Sequence, residues 1–263
     1  MTVASARNRI LMLDFPGRRP EAHLTELRLE DADLECEYLL THPLPTELDT
    51  RAYAEQLCRR MDTDPRDAVA VVAYCAAAPL AAPIAARVGG PDRPPLPIVY
   101  LDPSRCLDYH LVKNYTEIAR QIAGHTDLEE RIPLLDVAAL IPTPEEYLAR
   151  IAADLTQRSR AVLAADGFTA AEADQAMGTT IDLYMQWLTY LVAVHHPDPP
   201  PPAADVLQLV SRDHPAEAAW LGIAPEQTVR FDCLRPVLAE DPGVRGALLA
   251  FLDRAATAAP TRM

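Results

Sequence analysis

Cys75 is the residue whose type and surroundings point most directly to chemistry. It lies in Ala70-Val-Val-Ala-Tyr-Cys-Ala-Ala-Ala78, where a β-branched run, Val69 to Ala73, gives way to an alanine-rich stretch, Ala76 to Val88, that suits a helix. A nucleophile on so sharp a strand-to-helix turn needs small residues two positions to either side, because larger side chains collide in the strained geometry. Ala73 and Ala77 meet that demand nearly as well as glycine. A strand end that meets a helix start also offers backbone N–H groups and the positive end of the helix dipole, which favour a thiolate and stabilise a developing oxyanion. The competing interpretation is a small buried cysteine, inert as buried thiols usually are.

The elements that must position Cys75 follow an α/β pattern. Arg9 to Phe15 is an apolar run stopped by Pro16-Gly17 and reads as a buried strand, while Leu34 to Leu40 alternates and reads as a strand nearer an edge. Arg51 to Met61 has the spacing of an amphipathic helix, and Pro97 to Leu101 reads as a further buried strand ending at Asp102-Pro103. From Tyr109 to about Val194 the pattern is helical, most clearly over Pro144 to Ala165 and Ala170 to Val194. His195-His-Pro-Asp-Pro-Pro-Pro-Pro202 suits polyproline geometry and returns the chain to two strands, Val206 to Val210 and Thr228 to Phe231, and a closing helix, Val244 to Ala256. The expected fold is a mostly parallel, doubly wound α/β sheet built from residues 1–108 and 203–263, with a helical lid inserted at 109–202.

Four local features resemble the thioesterase family of polyketide and nonribosomal peptide biosynthesis, which has the α/β-hydrolase fold. They are Phe15-Pro-Gly17 after the first strand, the elbow from Ala70 to Ala78, Tyr100-Leu-Asp-Pro103, and a helical insertion before the last strands. The resemblance implies Cys75 as nucleophile, Asp102 as the acid that orients a base, and an oxyanion hole from the Gly17 and Ala76 N–H groups, since Pro16 has none to give. It implies acyl groups carried on phosphopantetheine, an acyl or peptidyl carrier protein as partner, and no bound cofactor. Tyr74, Tyr184, Trp187 and Leu188 are then candidate residues of an acyl chamber. The family's histidine belongs in the loop after the last strand, which here reads Phe231-Asp-Cys-Leu-Arg-Pro-Val-Leu238 without one. Cys233 stands nearest the expected place, Arg235 beside it could bind a substrate carboxylate or phosphate, and His214 after the preceding strand is the substitute base.

Passing an acyl group between thiols is nearly balanced in energy, and a thiolate needs no base at the moment of attack. Water must lose a proton as it attacks an acyl-enzyme, so a missing base costs on the order of 10²–10⁴ in that step. Three readings follow. One is an acyltransferase or cyclase acting on carrier-protein- or CoA-type thioesters through a Cys75 acyl-enzyme. Another is a degenerate, non-catalytic binding protein of the same fold. The third is a complete thioesterase that uses His214 as a displaced base.

Composition narrows the partners. With 263 residues, 49% of them hydrophobic, the chain can bury a large core without disulfides or metal. Asp+Glu 38 against Lys+Arg 24 gives a formal charge of −14, which opposes nucleic acid and anionic membranes. Arg59, Arg60 and Arg66 read as solvated charge, with an acidic carrier protein as the alternative contact. Five widely spaced cysteines without a CxxC pair, and an N-terminal apolar run of only Ile10 to Leu13, point to reduced thiols, no export signal and a cytoplasmic location. His195-His196 has no companions at ligand spacing, so no metal is expected. Ala68 to Ala86 runs 19 residues without a charge, but ten alanines interrupted by Pro79 and Pro83 do not make a membrane span.

Overall fold

A computed structural model of the chain describes residues 8–14, 23–91, 93–124, 136–137, 141–195, 205–215 and 219–258. Its strands are β1 (Arg9–Leu13), β2 (Glu35–Tyr38), β3 (Ala68–Tyr74), β4 (Ile98–Leu101), β5 (Val206–Val210) and β6 (Thr228–Arg230). Its helices are α1 (Thr50–Arg59), α2 (Ala78–Gly89), α3 (Asp108–Ala123), α4 (Pro144–Ala165), α5 (Ala170–Ala193) and α6 (Pro242–Ala258). The strands form one sheet in the order β2-β1-β3-β4-β5-β6, and every neighbouring pair is parallel.

A parallel sheet covered on both faces needs apolar residues at successive positions, and β1 is buried along its whole length. Alternate residues serve opposite faces. Ile10, Met12, Ala70, Val72, Val99, Leu101 and Leu209 share a core with Val244, Leu248 and Phe251 of α6. On the other side α2 packs against β3 and β4, and α1 packs on α2. The alanines of the 68–86 stretch let strand and helix approach closely. That stretch divides into β3, a 3₁₀ turn over Cys75–Ala77 and α2, with Pro79 in the first helical turn, where a missing N–H leaves nothing unsatisfied. Among the described residues no helix is long and apolar enough to cross a membrane.

The strand order reverses between β1 and β3. From β1 the chain proceeds to β2 on one side, and from β3 it proceeds to β4 on the other. Ligands of open α/β sheets bind at such a switch point, beyond the carboxyl ends of the strands. The elbow directly follows β3 there, and the long helical segment lies between β4 and β5. This is an α/β-hydrolase fold.

The chain separates into two compact units. The sheet unit holds Met1–His42, Thr50–Arg105 and Pro197–Met263, and the helical unit holds Pro43–Asp49 and Cys106–His196. Pro43–Asp49 joins the helices partly because the Leu44 N–H donates to Gln186 Oε1 of α5. Within the helical unit α4 and α5 are joined by a tight turn, with Gly167 at φ +88° and Thr169 and Glu172 forming a reciprocal capping box. The Tyr115 hydroxyl and Arg158 Nε both donate to Asp154 Oδ2, each at 2.6 Å, so the nearly buried guanidinium is paired and α3 is tied to α4.

Candidate active site

Because all strands are parallel, the loops after β3, β4, β5 and β6 leave the sheet at one end, and each contributes a side chain to one cluster in the sheet unit. Cys75, directly after β3, has φ +54°, and Asp102, directly after β4, has φ +40°. Left-handed backbone at a non-glycine residue costs about 1–3 kcal/mol and persists where the surroundings enforce it. Of the four such residues among those described, two are in this cluster. The Cys75 carbonyl accepts the Ser104 N–H at 3.1 Å, and Cys75 Sγ lies 3.1 Å from Ser104 Oγ, so the loop after β4 braces the elbow.

The loop after β6 supplies the group on the sulfur. Arg235 Nη2 donates to Cys75 Sγ at 2.6 Å. Arg235 Nε donates to the Tyr74 hydroxyl at 3.3 Å, and the guanidinium lies 5.6 Å from the centre of the Tyr74 ring. Arg235 is itself anchored through its backbone N–H, which donates to Asp213 Oδ1 at 3.1 Å. A guanidinium stays protonated throughout and cannot act as a base. What it offers the sulfur is a fixed positive charge, complementary to a thiolate.

Asp102 is fully buried, and its carboxylate is held from two directions by one residue: the Ser211 N–H donates to Oδ1 at 2.8 Å and the Ser211 hydroxyl to Oδ2 at 2.7 Å. His214 Nδ1 lies 3.6 Å from Asp102 Oδ1, beyond hydrogen-bond distance, and the ring is 4% exposed. Burial lowers the His214 pKa, the Asp102 carboxylate opposes that shift, and Arg235 and Arg230 add to it, so the imidazole is neutral near pH 7. The sequence offers His214 because its loop follows the strand before the last one, and in the structure its ring lies beside the Asp102 carboxylate.

Two residues with no sequence signal hold this arrangement. Ser211 is one. The other is Arg230, whose Nη1 donates to the carbonyls of Ser211 at 2.7 Å, His214 at 3.0 Å and Arg212 at 3.2 Å, gathering the loop that carries His214. Arg230→Met should release that loop and move His214 back toward the ordinary histidine value of about 6.5. Following the His214 ring by NMR across pH checks this, and an unchanged titration would contradict it. Because His214 holds its proton less tightly when folded, the wild-type fold loses stability as pH drops below about 6.5, and the variant should lose less.

The remaining sequence candidates sit as follows. Ala76 is in the 3₁₀ turn directly after Cys75, while Gly17 lies outside the described residues. Cys233 is partly exposed, its thiol pKa raised by burial and by the neighbouring Asp241 carboxylate. Tyr184, Trp187 and Leu188 belong to α5 in the helical unit. There the Tyr184 hydroxyl donates to Gln121, Trp187 Nε1 donates to Asn114 Oδ1 at 2.9 Å and stacks on Tyr190, and Leu188 is fully buried. Arg59 pairs with Glu55 and Arg66 with Asp64 in exposed ion pairs. His195 Nε2 is 2.7 Å from Asp108 Oδ1 within the helical unit, and His196 lies outside the described residues. Among the described residues no three His, Cys, Asp or Glu side chains group as metal ligands.

No protein-family model matches the sequence, and no curated protein matches it. Among solved structures, 97% of the chain superposes on part of a holo four-domain nonribosomal peptide synthetase bound to AMP and glycine, with a TM-score of 0.50 and 11% identity. The chain spans 20% of the length of that protein, and the likeness is one of fold. An epoxide hydrolase of the alpha/beta hydrolases superfamily, from metagenomes of hot environments, is similar over 93% of this chain and 90% of its own, with a TM-score of 0.44 and 16% identity.

Proposed function

We propose that the protein is a thioesterase-like acyltransferase that carries acyl groups on Cys75. The observation that carries this reading is the strained cysteine at the β3 elbow with the Arg235 guanidinium on its sulfur. In the reaction, the Cys75 thiolate attacks the carbonyl carbon of a carrier-protein- or CoA-type thioester. A new C–S bond forms, the carbonyl oxygen takes up charge facing the Ala76 N–H, and the donor thiol leaves as thiolate and is protonated by solvent. An acceptor thiolate or amine then attacks the Cys75 thioester and returns Cys75 as thiolate to Arg235, an amine acceptor giving up its proton to solvent or His214. The group on the sulfur cannot deprotonate water, which favours transfer over hydrolysis. A fold shared with part of a nonribosomal peptide synthetase makes phosphopantetheine-linked thioesters and a carrier protein the first donors and partner to test.

One observation favours a second reading, hydrolysis with His214 as base: its neutral ring lies 3.6 Å from the buried Asp102 carboxylate. Intact-protein mass spectrometry with a panel of N-acetylcysteamine thioesters separates the cases. Transfer predicts a lasting acyl adduct that is absent from Cys75→Ala. Hydrolysis predicts turnover that falls about 10²–10⁴-fold in His214→Gln. Neither adduct nor turnover on any donor would leave a non-catalytic binding protein.

A further inference from the structure

Hydrolysis of an acyl-enzyme needs a base, and an imidazole becomes an effective one when its Nδ1–H donates to a carboxylate, which fixes the tautomer, aims Nε2 and stabilises the imidazolium. Here the carboxylate is present but engaged elsewhere. Asp102 and Ser211 are both fully buried, and Ser211 donates to both carboxylate oxygens, through its N–H to Oδ1 at 2.8 Å and through its hydroxyl to Oδ2 at 2.7 Å. His214 Nδ1 stands 3.6 Å from Oδ1, and this buried nitrogen has no hydrogen-bond partner among the described residues. An N–H···O bond forms at about 2.9 Å, so the ring falls short by about 0.7 Å. The loop itself is held in place: the His214 N–H donates to the Ser211 carbonyl at 3.3 Å, and Arg230 Nη1 donates to the carbonyls of Ser211 and His214. The charged side chains facing the ring are Asp102, Arg235, Arg230 and Asp213; burial and the two arginines lower its pKa against the two carboxylates. Arg235 also donates to Cys75 Sγ, so the imidazole and the sulfur share one neighbour.

Resting on the reading of Cys75 as the acylated residue, we infer that Ser211 is the positioning residue that suppresses hydrolysis: its hydroxyl occupies the Asp102 carboxylate and keeps His214 Nδ1 out of hydrogen-bond distance. Without that hydroxyl, Oδ2 is a buried charged acceptor that has lost a donor, and the His214 ring beside it closes onto the carboxylate to replace it. Nε2 then takes a proton from water as the water oxygen bonds to the acyl carbon. The C–S bond breaks, Cys75 leaves as thiolate, the free acid departs and the imidazolium returns its proton to solvent.

Ser211→Ala in the full chain tests this with two readouts. Followed by NMR, His214 should titrate about one pH unit or more above its wild-type value and gain a strongly downfield Nδ1 proton that wild type lacks. The Cys75 adduct formed with a propionyl N-acetylcysteamine thioester, freed of donor and followed by intact mass, should hydrolyse at least about tenfold faster in Ser211→Ala than in wild type. Ser211→Ala/His214→Gln should return to the wild-type rate. Faster hydrolysis that survives the second substitution would mean that water enters a loosened site, and would overturn the inference. Equal hydrolysis in wild type and Ser211→Ala would overturn it too, while leaving the acyl-enzyme standing. Should Ser211→Ala not fold, wild type still decides, because a downfield His214 Nδ1 proton bonded to a carboxylate there contradicts the inference and its absence supports it. No adduct with any N-acetylcysteamine donor would overturn both the inference and the reading it rests on.

Discussion

With limiting iodoacetamide at pH 7, the native chain should be alkylated first at Cys75, on the order of 100-fold ahead of Cys36 and Cys58. Burial pushes the Cys36 thiol up to about 12, with Glu30 adding to the shift, and pushes the Cys58 thiol up to about 11 against the pull of Arg87. At pH 7 such thiols are ionised to about one part in 10⁵ and 10⁴. Cys233 is raised too, by burial and Asp241, and Cys106 is 1% exposed. The Arg235 guanidinium donates to the Cys75 sulfur, and although only 8% exposed Cys75 lies at the carboxyl end of the sheet, where ligands reach such folds. Peptide mapping after short exposure reads the order of modification. A fast phase that persists in Cys75→Ala would show that the reactive thiol is elsewhere.

Replacing Arg235 should give the second large effect. Arg235→Gln keeps a hydrogen-bond donor near the sulfur and removes the charge. A hydrogen bond to a charged group contributes about 1.5–3 kcal/mol, so alkylation of Cys75 at pH 7 should slow by about 10- to 100-fold. The difference should narrow as pH rises, because above the variant's thiol pKa both proteins present thiolate. The lysine variant should recover part of the rate through its charge but lose the Nε contact to Tyr74. Superimposable pH–rate profiles for wild type and Arg235→Gln would mean that the contact at Cys75 Sγ has no chemical consequence.

The local features legible in the sequence were those that repeat at regular intervals or change abruptly. The Val206–Val210 strand and the Pro144–Ala165 helix have the boundaries their patterning predicts, and the uncharged 68–86 stretch splits where β-branched residues give way to alanine and proline. Cys75 was legible because a strand-to-helix elbow is local and its steric needs show in the neighbouring alanines. Asp102 and His214 could be placed from the strands they follow. Arg235 was visible only as a cation in the space expected for a histidine, and its contact with the sulfur depends on how the loop after β6 turns back over the elbow. Ser211 and Arg230 were invisible for a different reason: they act by hydrogen bonds to a distant carboxylate and to backbone carbonyls, and such bonds impose no spacing and little residue preference. The membership of Pro43–Asp49 in the helical unit involves a side-chain contact across more than a hundred residues, from the Leu44 N–H to Gln186, and left no trace in composition.

The most direct test of acyl transfer through Cys75 is a chase of the preformed acyl-enzyme. Acylated protein, freed of excess donor, is divided between buffer alone and buffer with pantetheine, and the adduct is followed by intact mass. Transfer predicts an adduct that persists in buffer and is lost at least about 100-fold faster when the thiol is present, with acyl-pantetheine appearing in equal amount. An adduct that decays at the same rate in both, releasing free acid, would contradict it.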